Sequence, residues 1–116
     1  MTELPRIDHF EFGSVLIGGT VYRTDIVISR AGIRKEWRRK EGHRLIPQDL
    51  PELDGNIETL LVGTGVYGMM SVAPEVRIFC EKNYVRLLDK DTVQAVNIFN
   101  KEFLTGRTVF CLHITC

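Results

Sequence analysis

Three short stretches of this chain carry residue types that can do chemistry. The first, Gly63-Thr64-Gly65-Val66-Tyr67-Gly68, ends the apolar run Leu60-Leu61-Val62. A strand that runs into such a turn leaves backbone amides able to point at an anion or at another piece of chain. The string fits G-x-G-x-x-G, whose glycines permit a tight turn and close approach to a pyrophosphate, and Asp89 stands where a ribose-binding acid belongs. Two features speak against a dinucleotide: Pro74 sets the next helix start several residues past the last glycine, and the chain holds only one such unit. Three readings stay open. The loop holds a small anion or other ligand through Gly63, Thr64, Gly65, Tyr67 and Gly68; it holds a dinucleotide; or it is a sharp turn packed against the basic segment with no ligand.

The second stretch is Cys111-Leu112-His113-Ile114-Thr115-Cys116. A thiol beside an imidazole is the raw material of a nucleophile. On an extended strand, however, Cys111, His113 and Thr115 share one face and Leu112, Ile114 and Cys116 the other. His113 and Cys116 therefore meet only if the strand ends before Cys116. The ordinary alternative is a buried strand with His113 hydrogen-bonded. A metal held by His43, His113 and Cys116 has no support in their spacing.

The third stretch is Trp37-Arg38-Arg39-Lys40-Glu41-Gly42-His43. Guanidinium forks and an indole can hold a phosphate or stack a base, so Arg38, Arg39 and His43 join the ligand-binding candidates. The plainer reading has Trp37 capping the edge of the core and both arginines paired to acids. Nucleic acid is disfavoured by a formal net charge of zero and by the lack of a reading helix or an aromatic platform. No serine–histidine–acid signature, nucleophile elbow or H-E-x-x-H occurs, and the glycine string lacks the Gly-Lys-Ser/Thr ending of an NTPase loop. No catalytic residues and no cofactor are assigned.

These residues need elements to position them. The first 40 residues read as short strands with tight turns, an antiparallel meander with a Gly18-Gly19 hairpin. Pro47 opens a short helical turn that Pro51 limits. The second half alternates: a strand over 58–62, a helix from Pro74 stopped near Asn83, a strand over 84–88, a helix capped by Asp91 or Thr92, and a largely apolar strand over 108–114. Val76, Phe79 and Cys80 share a face of the first helix, and Val96, Phe99 and Phe103 form the stripe of the second, with Gly106 following as a stop. Strand–helix–strand–helix–strand implies parallel pairing through right-handed crossovers. The fold expected is α/β, a mixed sheet with a parallel β-α-β-α-β C-terminal half and an antiparallel N-terminal part.

Size and composition agree. The 116 residues suit one domain, 1–116, with 44% hydrophobic and 26% charged residues. No apolar run approaches the roughly 20 residues that cross a bilayer. The N-terminus has neither a secretory nor a transit pattern, and three cysteines without a C-x-x-C pair suit reduced thiols, so a cytoplasmic location is expected. Charge is uneven. Residues 30–44 carry seven basic groups against two acidic, and residues 45–60 four acids and no base, either an anion-attracting edge or a face whose charges pair with neighbours.

Taken together, LLVGTGVYGMM over residues 60–70, the basic WRRKEGH, Ala95-Val96-Asn97-Ile98-Phe99-Asn100 and the closing L-H-I-T-C resemble a small domain family of unknown function found in bacteria, archaea and eukaryotes. Its eukaryotic relatives include an adipogenesis-associated protein and the third assembly factor of respiratory complex I. The resemblance implies a three-layer α/β arrangement and a family-shared surface at Gly42, His43, Gly63, Gly65, Gly68, Asn100, His113, Thr115 and Cys116. It brings no enzymatic activity with it. The expectation is thus a non-enzymatic module that binds a protein partner, in the manner of a complex-assembly factor. The alternative is a small-ligand or anion-binding, or redox, domain built on loop 63–68.

Overall fold

The structure, a computed structural model, describes residues 3–116. Its spine is a five-stranded mixed sheet built from β4 (Ile26–Ser29), β5 (Gly32–Arg34), β7 (Thr59–Thr64), β9 (Arg86–Lys90) and β10 (Thr108–His113), in the order β5-β4-β10-β7-β9. Strands β10, β7 and β9 run parallel, with Thr108 opposite Thr59 and Thr59 opposite Arg86. Strand β4 closes antiparallel on the other side of β10, with Cys111 opposite Val27. The parallel C-terminal half and the antiparallel N-terminal part expected from the sequence are both present.

Every residue of β7 and β10 is buried, because both faces of the sheet are covered. Alternation sorts the side chains. Ile26, Ile28, Leu61, Phe110 and Leu112 point to one core, while Val27, Leu60, Val62, Val109 and Cys111 point to the other. On the first face lie α2 (Thr92–Glu102) and a ribbon of β1 (His9–Glu11), β2 (Ser14–Ile17) and β3 (Thr20–Tyr22). Phe99 of α2 packs on Phe110 with ring centroids 4.8 Å apart. Asn100 fastens the ribbon: its side chain accepts from the Ile7 amide and donates to the Ile7 carbonyl, both at 2.9 Å, as a neighbouring strand would. On the second face lie α1 (Pro74–Lys82), a parallel pair of two-residue strands, β6 (Arg44–Leu45) and β8 (Ser71–Val72), and Trp37, whose indole donates to the Asp49 carbonyl.

Several local expectations hold. Gly18 and Gly19 turn the β2–β3 hairpin. Pro47 opens a single helical turn. Asp91 caps α2, accepting from the Gln94 amide. Others need correction. Strand β7 does not stop at Val62 but runs through Gly63 and Thr64, since ladder bonds to β10 persist to its end. Strand β9 starts two residues after Tyr84, which sits at φ 57° and is 93% exposed. Phe79 does not join Val76 and Cys80 in the core: α1 leaves its ring 39% exposed.

Candidate functional site

The chemistry-bearing residues collect at the carboxyl ends of the parallel strands, the usual place for a site in an open α/β sheet. Strand β10 ends at His113, and the segment that follows folds over the glycine loop. Val66 donates its amide to the Thr115 carbonyl at 2.7 Å, and the amides of Tyr67 and Met69 both donate to the Cys116 backbone oxygen, at 3.2 and 3.0 Å. The loop amides that an anion would need are thus bonded to this chain's own residues 115–116.

Gly65 makes that seat possible. Its φ is 109°, and a Cβ there would stand 2.1 Å from the Cys116 carbonyl carbon and 2.9 Å from Cδ2 of His113. Only a glycine admits both the backbone conformation and the contact. Gly63 has a different reason. A Cβ on it would lie 2.9 Å from the Thr92 hydroxyl oxygen, which accepts from the Gly65 amide at 2.8 Å and donates to the His113 carbonyl at 2.6 Å. That hydroxyl ties the start of α2 to both strand ends at once.

Beneath the loop lies a buried polar cluster. Asp25, the residue before β4, accepts from the Ile114 amide and from Arg39 Nη2, and its Oδ2 lies 2.8 Å from Nδ1 of His113. Burial works to raise the Asp25 pKa, but the bonds from His113, Ile114 and Arg39 outweigh it and hold the carboxyl below its ordinary value. Asp25 is therefore a carboxylate at neutral pH, and His113 presents its Nδ1 proton to it. Arg39 is fixed on all sides: its side chain is 4% exposed, it donates to the Gly42 carbonyl, and its guanidinium carbon lies 4.6 Å from the Trp37 ring centre. The buried Arg39 Nη1 and His113 Nε2 find no partner among the described residues.

The remaining sequence candidates divide. His43 is exposed, with its ring edge-on to His113 at 5.8 Å. Arg38 is exposed and lies 3.5 Å from Glu36. Thr64 is buried, its hydroxyl on the Lys90 carbonyl. Tyr67 is 72% exposed and lies against Phe12, with ring centres 6.2 Å apart. Asp89 is engaged by Arg77 at 2.8 Å, so it does not stand free for a ribose. Much of the uneven charge pairs off locally: Arg30 bonds Asp54, Arg107 bonds Glu58 and Arg39 bonds Asp25. A cleft of about 300 Å³ between Arg34 and Glu52 lies at the far end of β4 from Asp25 and shares no residue with the cluster. Sequence reasoning missed Asp25, Thr92 as a bridge, and Phe12. The signal for Asp25 was a carboxylate at the mouth of the apolar run Ile26-Val27-Ile28, where a charge must find a partner.

A family model described as a protein of unknown function, DUF498/DUF598, matches residues 7–114. The chain belongs to that family. Solved relatives repeat the architecture. A conserved hypothetical protein, PH1505, from Pyrococcus horikoshii is 31% identical, with 96% of this chain and 99% of that one covered and a TM-score of 0.77. A protein titled MT938 is 26% identical, covering 97% and 99% of the two chains, with a TM-score of 0.76. A Bordetella pertussis protein described as a Mth938-like domain is 20% identical over 95% of this chain and 85% of its own, with a TM-score of 0.66, and speaks for the fold alone. A comparison with curated proteins gives no match. Among the described residues no helix is long and apolar enough to cross a membrane.

Proposed function

We propose that this DUF498/DUF598 chain is a non-enzymatic protein-binding module, of the complex-assembly kind, that offers the rim of its glycine loop to an apolar segment of a partner protein. The observation that carries the reading is the exposure of Phe12, Tyr67 and Met69, at 53%, 72% and 58%, around a loop that the fold takes trouble to fix. Aromatic rings and methionine are what interface centres are enriched in. Three amide bonds to residues 115–116 hold the rim in advance, which lowers the ordering cost of docking. The same bonds disfavour the small-anion alternative, because the amides are occupied and the Arg39 charge is met by Asp25. Unpaired, buried Cys80 and Cys111 suit a reducing compartment, so the module is assigned to the cytoplasm.

The test uses Tyr67→Asp/Met69→Asp, with Tyr84→Asp as the control at the opposite ends of the strands, and Arg38→Glu for the basic segment. A partner captured by the native chain is identified, purified and titrated against each variant. Loss of at least about tenfold in affinity for the double variant alone, with an unchanged melting temperature, is expected if the rim residues act as hot spots. Equal affinity for native, Tyr84→Asp and double variant refutes the surface.

A further inference from the structure

The main sheet has two edge strands. One, β5, is only three residues long and begins with a glycine. The other, β9, runs five residues, Arg86-Leu87-Leu88-Asp89-Lys90. Its pairing with β7 begins at the Arg86 amide, which donates to the Glu58 carbonyl at 2.8 Å. In a parallel ladder alternate residues turn their main chain the same way, so Arg86, Leu88 and Lys90 bond β7 while Leu87 and Asp89 face outward. The amides and carbonyls of those two find no partner among the described residues. An edge of this kind is a template for another strand.

Its side chains decide which strand. Leu88 packs on the α2 core and Leu87 on the α1 core. Asp89 is answered by Arg77 at 2.8 Å. Arg86 and Lys90 share the Leu88 side of the sheet. Both are exposed, and among the described residues neither has a carboxylate within ion-pair distance. A second copy of the chain fits this edge badly. The antiparallel register that uses all four outward groups sets Leu87 against Asp89 of the second copy, and it sets Arg86 against Lys90 of the second copy at both ends. A register centred on Asp89 opposes two carboxylates. A register centred on Leu87 sets Asp89 against Val85, whose amide is already held by the Cys80 carbonyl. Like charges directly opposed destabilise a strand pair, and opposite charges support one.

We propose that the β9 edge takes an extended segment of a partner protein by strand addition, and that it selects a segment with carboxylates four residues apart and an apolar residue midway. The carboxylates lie opposite Arg86 and Lys90 whichever way the added strand runs, and the apolar residue lies opposite Leu88. Main-chain bonds to Leu87 and Asp89 supply affinity, and the alternate side chains supply selection. This surface uses none of Phe12, Tyr67 and Met69, and it stands whether or not the rim binds a partner.

The probe is a capped peptide containing Glu-Thr-Val-Thr-Glu, titrated into the isotope-labelled full chain and followed by amide chemical shifts. Saturable shifts centred on Leu87 and Asp89 are expected, with slowed solvent exchange of their amides. Replacing both glutamates of the peptide by lysine should weaken binding at least about fivefold, as reversing two cross-strand charge pairs requires. Methylating the peptide nitrogens that face β9 should abolish binding. Arg86→Glu/Lys90→Glu should reverse the preference in favour of the lysine peptide. No shift at Leu87 and Asp89, equal binding of the two peptides, or binding that survives methylation overturns the proposal. A free chain that dimerises with concentration and already protects the Leu87 and Asp89 amides gives the edge to a second copy and also overturns it. The two peptides on the native chain decide the matter even if the charge-reversed variant does not fold.

Discussion

Substituting the three glycines of the loop by alanine separates backbone strain from steric contact. At Gly68, φ is 65° and the nearest atom to an added Cβ is the Thr64 hydroxyl oxygen at 3.7 Å, so Gly68→Ala meets strain alone, about 1–2 kcal/mol. At Gly63 the backbone is ordinary but the Cβ meets the Thr92 hydroxyl at 2.9 Å, so Gly63→Ala carries an overpacking cost of about 1–3 kcal/mol as α2 shifts. At Gly65 both apply. A φ of 109° adds about 1–3 kcal/mol of strain. The Cβ would also sit 2.1 Å from the Cys116 carbonyl carbon, which must move by more than an ångström. That motion breaks the bonds from Val66, Tyr67 and Met69, each of net worth about 1 kcal/mol. Gly65→Ala should therefore cost about 4–6 kcal/mol, a large share of the stability of a small domain. Urea unfolding followed by circular dichroism measures the three differences, given equal m-values. The expected order is Gly65 costliest, then Gly63, then Gly68. If Gly65→Ala costs no more than Gly68→Ala, residues 115–116 are not seated on Gly65, and the pinned rim falls with them.

Three further outcomes follow from the buried contacts. Asp25→Asn leaves Arg39 charged and unanswered at 4% exposure and should cost about 3–5 kcal/mol at neutral pH by the same unfolding measurement. Because the Asp25 pKa is lowered from 3.8 in the folded chain, its contribution is full above that value and disappears as pH falls through the folded value, so native stability should drop more steeply than that of Asp25→Asn in acid. Asn100→Ala unmakes both bonds to Ile7 and should lower the urea midpoint by the equivalent of about 1–3 kcal/mol, without altering the m-value.

Where the sequence was legible, local rules agreed with the tertiary fold. The apolar stripe of α2, the Asp91 cap, Pro74 at the start of α1 and the apolar β10 each point to one answer, and the parallel half follows from their order. What escaped depends on contacts between distant residues. Gly63 reads as the start of a turn, yet it is the tail of a strand, because its missing side chain makes room for Thr92. Asp25 bonds His113, 88 residues away, and no periodicity announces such a pair. Strands β6 and β8 are two residues each, too short to leave an alternation, and owe their existence to the β7–α1 connection running beside Arg44–Leu45. The loop amides were foreseen, but not that their acceptors come from the chain itself, since a glycine string is the same whether it cradles a phosphate or a peptide oxygen.

That last distinction bears on what the fold is for. In open α/β sheets the crevice beyond the carboxyl strand ends usually stays empty for a ligand. Here segment 114–116 covers it, the Thr92 hydroxyl stitches Gly65 to the end of β10, and Asp25 answers the Arg39 charge beneath. A site closed in this way has spent its amides and its charges internally. What it still offers the solvent is the outside of the closure: the rings of Phe12 and Tyr67 and the Met69 side chain. Apolar groups fixed by a buried polar frame suit contact with a protein surface, which needs shape and no deep cavity. The buried cluster of Asp25, Arg39 and His113 then serves to hold that shape.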